Sequence, residues 1–223
     1  MSLEVALGAA LLAIWLGMTL GAAAGYFGGW LDAIVSRLVD LVMAFPLLLF
    51  LLMLGTAASP RLRQITLGGV LNEGVLMLIL LIGAFTWFYP ARIVRSEVLS
   101  LRNREFVEAA ESLGASDLRI LRQHLIPSVA PTLIAYGGVL VATNIMLEAG
   151  VSFLGVGLEL PTASWGTMLT AAWGSLLQPY RYDPVSFTPW TTVIPSAAIF
   201  LTVLSFNLVA DAIRDAVDPQ GVR

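Results

Sequence analysis

Few residues in this chain of 223 could carry covalent chemistry, because it holds no cysteine, no lysine and a single histidine. Without cysteine there is no disulfide, thiolate metal site or thiol nucleophile. His124 alone cannot build a multi-histidine metal centre, and it reads as a buried helix-end or partner contact. A GxxxxGK[ST] phosphate loop needs its lysine at the β- and γ-phosphates, so that ATP site is excluded. Intramembrane hydrolysis would want HExxH, GxSxG or paired aspartates within apolar runs; none occurs, and the aspartates fall at run ends or in loops. What remains is polarity set into apolar sequence. Asn144, Glu148 and Asn207 stand at membrane depth, and a charge-rich stretch runs from Arg92 to His124.

The elements that must position these groups follow from composition. Hydrophobic residues make up 58% and charged residues only 12%, about half the roughly 25% of soluble globular proteins. A water-soluble fold has nowhere to bury such apolar runs, so the fold class is an all-α membrane protein. About 20 apolar residues cross the roughly 30 Å hydrocarbon core. Five runs meet that length, giving about five spans near 5–28, 41–59, 74–91, 126–148 and 190–210 within one transmembrane domain, 1–223. The stretch 149–189 is also poor in charge, but Gly155, Gly157, Pro161, Gly166, Gly174 and Pro179 break it, which predicts an interfacial or re-entrant external loop.

All twelve cationic residues are arginine, and their distribution sets the orientation. With the 92–124 loop inside, Arg37, Arg92, Arg95, Arg102, Arg104, Arg119, Arg122, Arg214 and Arg223 are cytoplasmic; only Arg61, Arg63 and Arg181 are external. The C-terminus is then inside and the N-terminus outside, in a lipid bilayer. Met1 to Glu4 is too short for a signal peptide, so this reading favours an upstream helix absent from these residues. The formal net charge of −3 offers no polyanion-binding surface, and no nucleic-acid partner is expected.

Within the 92–124 loop, Arg104 to Leu113 are good helix formers and Gly114 supplies a stop. Ser116 is placed to N-cap a second short helix, with Asp117 in its first turn and Leu118, Leu121 and Leu125 on one face. On spacing alone this is a solvated amphipathic connector. The residues say more. Glu108-Ala109-Ala110, three residues, Gly114, nine residues, His124, one residue, then Ile126-Pro127 resembles the EAA loop of ABC importer permeases. Ala24-Gly25-Tyr26-Phe27-Gly28-Gly29 with Asp32, Phe45-Pro46, Tyr89 with Ala91-Arg92, Ser152-Phe153-Leu154-Gly155, Ser164-Trp165-Gly166, Phe206-Asn207-Leu208 and the Asp211, Arg214-Asp215, Asp218-Pro219 end are similar, in order, to the C-type permease of the dipeptide/oligopeptide/nickel branch. The departures are Ala210-Asp211 for Gly-Asp and Ile126-Pro127-Ser128 for Leu-Pro-Asn; family members also usually begin with a further helix and external segment.

That resemblance implies a transport subunit without catalytic residues or a cofactor, partnered by a homologous permease, two ABC ATPase subunits and an external substrate-binding protein, in a bacterial-type inner membrane. ATP hydrolysis would reside on the partners. The loop would be the coupling helix that docks on an ATPase subunit, with Glu108, Ala109, Ala110, Gly114, Leu118, His124 and Pro127 as its residues. Alanine there lets a partner approach closely. The implied substrate is a di- or oligopeptide, with nickel or another small solute as the alternative and a passive channel subunit as the rival from a different class.

Other features keep two readings. Ala9, Ala13, Gly17, Gly21 and Gly25 form a small-residue stripe that packs a helix of this chain or of the second permease. Asn144 and Asn207 suit hydrogen bonds to neighbouring helices, and Glu148 equally suits a solvated helix end. The aromatic residues Phe153, Trp165, Trp173, Tyr180, Tyr182, Phe187 and Trp190 fit an interfacial belt or a binding-protein dock.

Overall fold

The computed structural model describes residues 1–57, 64–66, 71–158, 162–177 and 190–217. Pro161, Pro179, Tyr180, Tyr182, Phe187, the Asp218-Pro219 pair and the arginines at 61, 63, 181 and 223, all used above, lie outside the described residues. The helices are α1 (Ser2–Phe27), α2 (Gly29–Met43), α3 (Leu47–Ala57), α4 (Val75–Thr86), α5 (Phe88–Leu101), α6 (Glu105–Ser112), α7 (Asp117–Ile120), a π-helical turn (Leu121–Leu125), α8 (Ile126–Phe153), α9 (Trp165–Leu177) and α10 (Trp190–Val217). Among the described residues there is no strand.

Four stretches are long and apolar enough to cross a membrane: Ser2–Phe27, Val75–Leu101, Asp117–Phe153 and Trp190–Ala216. The expected span over 41–59 falls on a bent pair: α2 and α3, which together are long and apolar enough to cross, meet at a 91° bend. Pro46 is the cause: it disfavours helical geometry at Phe45 and lacks the N–H that a continuing helix would use.

The small-residue stripe explains the packing. Ala9, Ala13, Gly17, Gly21 and Gly25 are all buried in α1. A Cβ on Gly17 would fall 2.7 Å from Pro90 Cγ, and one on Gly25 would fall 2.9 Å from the Arg95 carbonyl oxygen, while Gly83 approaches Ala9 in return. Residue numbers rise together along both partners, so α1 runs parallel to α4–α5. Parallel neighbours need a return crossing between them, and the bent α2–α3 pair lies in that stretch of chain. α8 runs the other way along α1: Asn144 donates to the Ala6 carbonyl at 3.3 Å, and Gly137 meets Ile14. α10 lies along α8, with Phe206 and Ala210 against Gly138.

Three further expectations change. The second loop helix is not short, because α7, the π turn and α8 form one continuous 37-residue helix, about 55 Å long. It therefore projects well beyond a 30 Å core. Pro127 does not stop it: Pro127 sits in the first turn of α8, where a missing N–H is tolerated, and the wide turn ahead of it opens the helix around the ring. Nor do the three leucines share one face: Leu118 is 63% exposed while Leu121 and Leu125 are buried. Finally, Gly166 and Gly174 do not break the 149–189 stretch but lie inside α9. Gly166 is there for close approach, since a Cβ would meet the Ala149 carbonyl oxygen at 2.7 Å.

Candidate coupling surface and the polar groups at membrane depth

The polypeptide between α5 and α8 is held at three levels. Underneath, Val107 of α6 is 1% exposed and joins Ile120, Leu121, Leu125, Val94, Val98 and Ala22 in one apolar cluster. This anchors the short helix to α1, α5 and α8 together. At its carboxyl end, the Ala115 N–H donates to Ala110 O at 3.0 Å and the Gly114 N–H to Glu111 O at 2.9 Å. This is the Schellman pairing, and Gly114 holds the left-handed position with φ 79°. Nothing lies within 4 Å of a Cβ built there, so the requirement for glycine is conformational and not steric. Ser116 occupies the N-cap position of α7, but its side chain makes no capping bond.

The third level ties this segment to α1. Arg102 Nη1 donates to the carbonyls of Gly25 (3.2 Å) and Tyr26 (3.4 Å), placing a cation on unpaired carbonyls at the α1 carboxyl end. Tyr26 donates its hydroxyl to Asp117 Oδ1 at 3.0 Å. Both ends of the α6 loop are thus fastened to the same helix terminus. A displacement of α6 is met by α1, α5 and the long α7–α8 helix at once.

What α6 presents outward is definite. Glu108, Ala109 and Gly114 are exposed, Leu118 is exposed on α7, and Leu113 is 88% exposed with no apolar neighbour covering it. Ala110 is half-buried and packs towards the chain's own core. His124 is half-buried, its ring 6.4 Å from that of Phe106 on α6, and Pro127 is exposed. Glu105 and Glu108 in the first turn of α6 favour its helix dipole. The outward face of α6 is thus small and acidic, with a bare leucine at its end.

Of the polar groups in the spans, Asn144 makes the expected hydrogen bond to a neighbouring helix, at the Ala6 carbonyl of α1, whereas Glu148 and Asn207 differ from expectation. Glu148 is not a solvated helix end: it is 0% exposed, accepts a hydrogen bond from Ser152 Oγ at 2.8 Å, and leaves Oε2 without a partner. Asn144 Oδ1, one turn away, is also buried and unpartnered. Asn207 donates to the Val203 carbonyl of its own helix at 3.0 Å instead of bridging to a neighbour. Sequence reasoning left Tyr26, Asp32, Arg95, Arg102, Asp117 and Ser152 without these roles. Asp32 on α2 pairs bidentately with Arg95 on α5, the Arg95 Nη2 to Asp32 Oδ2 bond being 2.8 Å. Two opposite charges set in separate apolar runs were the available signal for that pair.

The architecture is that of a polytopic, all-helical membrane component. The chain belongs to the family of binding-protein-dependent transport system inner membrane components, whose family model matches residues 17–221. That family comprises transport components, not enzymes. The chain is 36% identical over 219 residues to a candidate peptide permease protein of Brucella ovis, covering 98% of this chain and 66% of that protein. It is 36% identical over 221 residues to the glutathione transport system permease protein GsiD of Escherichia coli O6:K15:H31, covering 97% and 66%. The chain thus spans 66% of the length of these curated relatives. Among solved structures, an amino acid ABC transporter crystallised with histidines has the same fold, with a TM-score of 0.62 at 16% identity over 97% of this chain and 91% of that one.

Proposed function

We propose that this chain is the permease subunit of a binding-protein-dependent ABC importer for di- or oligopeptides. It pairs with a homologous permease and works with two ATPase subunits and an external binding protein. The observation that carries the reading is α6: an eight-residue helix whose inner face is locked to three span helices and whose outer face is open. Closure of an ATPase pair, pushing on Glu108, Ala109 and Leu113, would move α1, α5 and α8 as levers. Membership of the family supports the importer class, and relatives named for peptide and glutathione transport support the substrate class. The arginine-rich loop supports a cytoplasmic position for α6, and with it a cytoplasmic C-terminus.

The test is reconstitution of the complex and measurement of ATP hydrolysis stimulated by peptide-loaded binding protein. Ala109→Arg places a bulky charge on the exposed face without touching the core, so stimulation should vanish while membrane insertion persists. Full stimulation in that variant, inserted at normal levels, would remove α6 from the coupling path.

A further inference from the structure

At the end of the bundle away from α6, α8 carries two polar side chains sealed from solvent one turn apart. Asn144 and Glu148 are both 0% exposed, and each keeps one oxygen without a partner, Asn144 Oδ1 and Glu148 Oε2. The bonds already formed around them have fixed directions. The Leu158 N–H donates to Ser152 Oγ at 3.2 Å, and Ser152 Oγ donates in turn to Glu148 Oε1 at 2.8 Å. On the other side, Asn144 Nδ2 donates to the Ala6 carbonyl at 3.3 Å. A carbonyl can only accept, so the amide nitrogen must be the group at Ala6, and Oδ1 is the atom left over. Two runs of hydrogen bonds therefore point the same way and stop at two acceptors on neighbouring turns of one helix.

One hydrogen joins them. We propose that Glu148 is a proton-binding site inside the bundle, carrying a proton on Oε2 in the folded protein and donating it to Asn144 Oδ1. The relay then runs unbroken from the Leu158 amide through Ser152, Glu148 and Asn144 to the Ala6 carbonyl, each bond polarising the next. It fastens α1 to the turn after α8 through buried groups alone, since Ser152 and Leu158 are each 2% exposed. The proton sits on Oε2 because Oε1 already accepts from Ser152. Charge argues the same way, because an ionised carboxylate sealed from water needs a cationic partner. Among the described residues none is offered. α3, α4, α9 and the 154–158 turn carry no titratable side chain, and α1 and the 71–74 segment add only Glu4 and Glu73 at this end, both acids. The arginines of α5 lie beyond Pro90, which packs on Gly17, three turns of α1 from Ala6. On α10, Asp211, Arg214 and Asp215 follow Ala210, which packs on Gly138. A bridging water would satisfy both oxygens but leave the charge, and a divalent metal ion would need several more oxygens than the two on offer.

The inference does not depend on what the protein transports. Its test is infrared spectroscopy of the protein in lipid bilayers near neutral pH, where a protonated carboxyl group shows a C=O stretch well separated from that of an ionised carboxylate. Glu148→Gln keeps the shape of the side chain, and its amide N–H can stand in for the O–H towards Asn144. The spectrum of the unmodified protein minus that of Glu148→Gln should contain one protonated-acid band and no ionised-carboxylate band. Ser152→Ala removes the donor to Oε1, so the acid band should move to higher frequency without loss of intensity. That variant also carries the test alone if Glu148→Gln does not insert. An ionised-carboxylate band in place of the acid band overturns the proposal, and so does a spectrum whose acid region is unmoved by Ser152→Ala. Replacing all metal cations by choline at constant ionic strength should leave the acid band and the melting temperature unchanged. A clear fall in melting temperature on that exchange would assign the two oxygens to a metal ion and overturn the proton.

Discussion

Replacing Gly21 by alanine is a demanding perturbation for so small a change. The added Cβ would stand 2.5 Å from the Ala91 carbonyl oxygen and 3.0 Å from Val94 Cβ. Ordinary contact begins at 3.4 Å, so the methyl is about 0.9 Å too close to backbone that cannot rotate away. Relief requires α1 to part from α5. Gly17 and Gly25, one turn to either side, contact Pro90 and Arg95 through the same seam and would be drawn out with it. A gap of 0.5–1 Å forfeits about a quarter to a half of each dispersion contact, and overpacking of this kind costs about 1–3 kcal/mol. At roughly 2–4 °C per kcal/mol for a chain of this size, the melting temperature should fall by about 2–12 °C. The control is Gly174→Ala in α9, where nothing lies within 4 Å of the new Cβ. There the gain in helix propensity, about 0.5–1 kcal/mol, should raise stability slightly. Thermal unfolding of the purified protein in detergent, followed by circular dichroism, reads both. The close-approach argument is refuted if Gly21→Ala melts no lower than the unmodified chain while Gly174→Ala behaves as expected.

Gly114→Val forces a β-branched residue into the left-handed region and should cost about 1–2 kcal/mol and abolish peptide-stimulated ATP hydrolysis, whereas Gly114→Asn, which tolerates that region, should retain most of it. Glu148→Ala removes the acceptor of Ser152 Oγ in a fully buried site and should destabilise by about 1–3 kcal/mol, read as a lower detergent melting temperature; Glu148→Gln keeps an acceptor and should lose less. Ser112→Cys, on the exposed side of α6 in an otherwise cysteine-free chain, should resist membrane-impermeant thiol reagents in sealed right-side-out vesicles and react after lysis. Labelling before lysis would invert the proposed orientation.

What could be read from the sequence was whatever acts within a few residues or through bulk apolarity. The membrane class follows from charge-free runs, and the helix before Gly114 follows from local propensity and a glycine stop; α6 ends at Ser112. Pro46 was also visible, yet hydropathy averages over it, so a bent pair reads as one straight span. The reverse error occurred at 149–189. Gly166 and Gly174 count as breakers in isolation, but inside a packed bundle Gly166 is the residue that lets α9 reach the Ala149 backbone. Glycine's propensity cost and its packing benefit are of similar size, and only the neighbour decides the sign.

Long-range polar pairing lay further out of reach. Asp32 and Arg95 are 63 residues apart, and Tyr26 and Asp117 are 91 apart. Nothing local marks either pair, because each residue alone reads as a charged or polar group near the end of an apolar run. The same holds for Glu148, whose position four residues from the amide of Asn144 and four from Ser152 makes sense only once α1 and α9 close over that face. The consequence for function is concrete. The exposed residues of α6 can be found from a motif, but the parts that would turn its movement into a change in the spans, Tyr26, Arg102 and Asp117, are defined only by where the α1 carboxyl end comes to rest between the two ends of the loop.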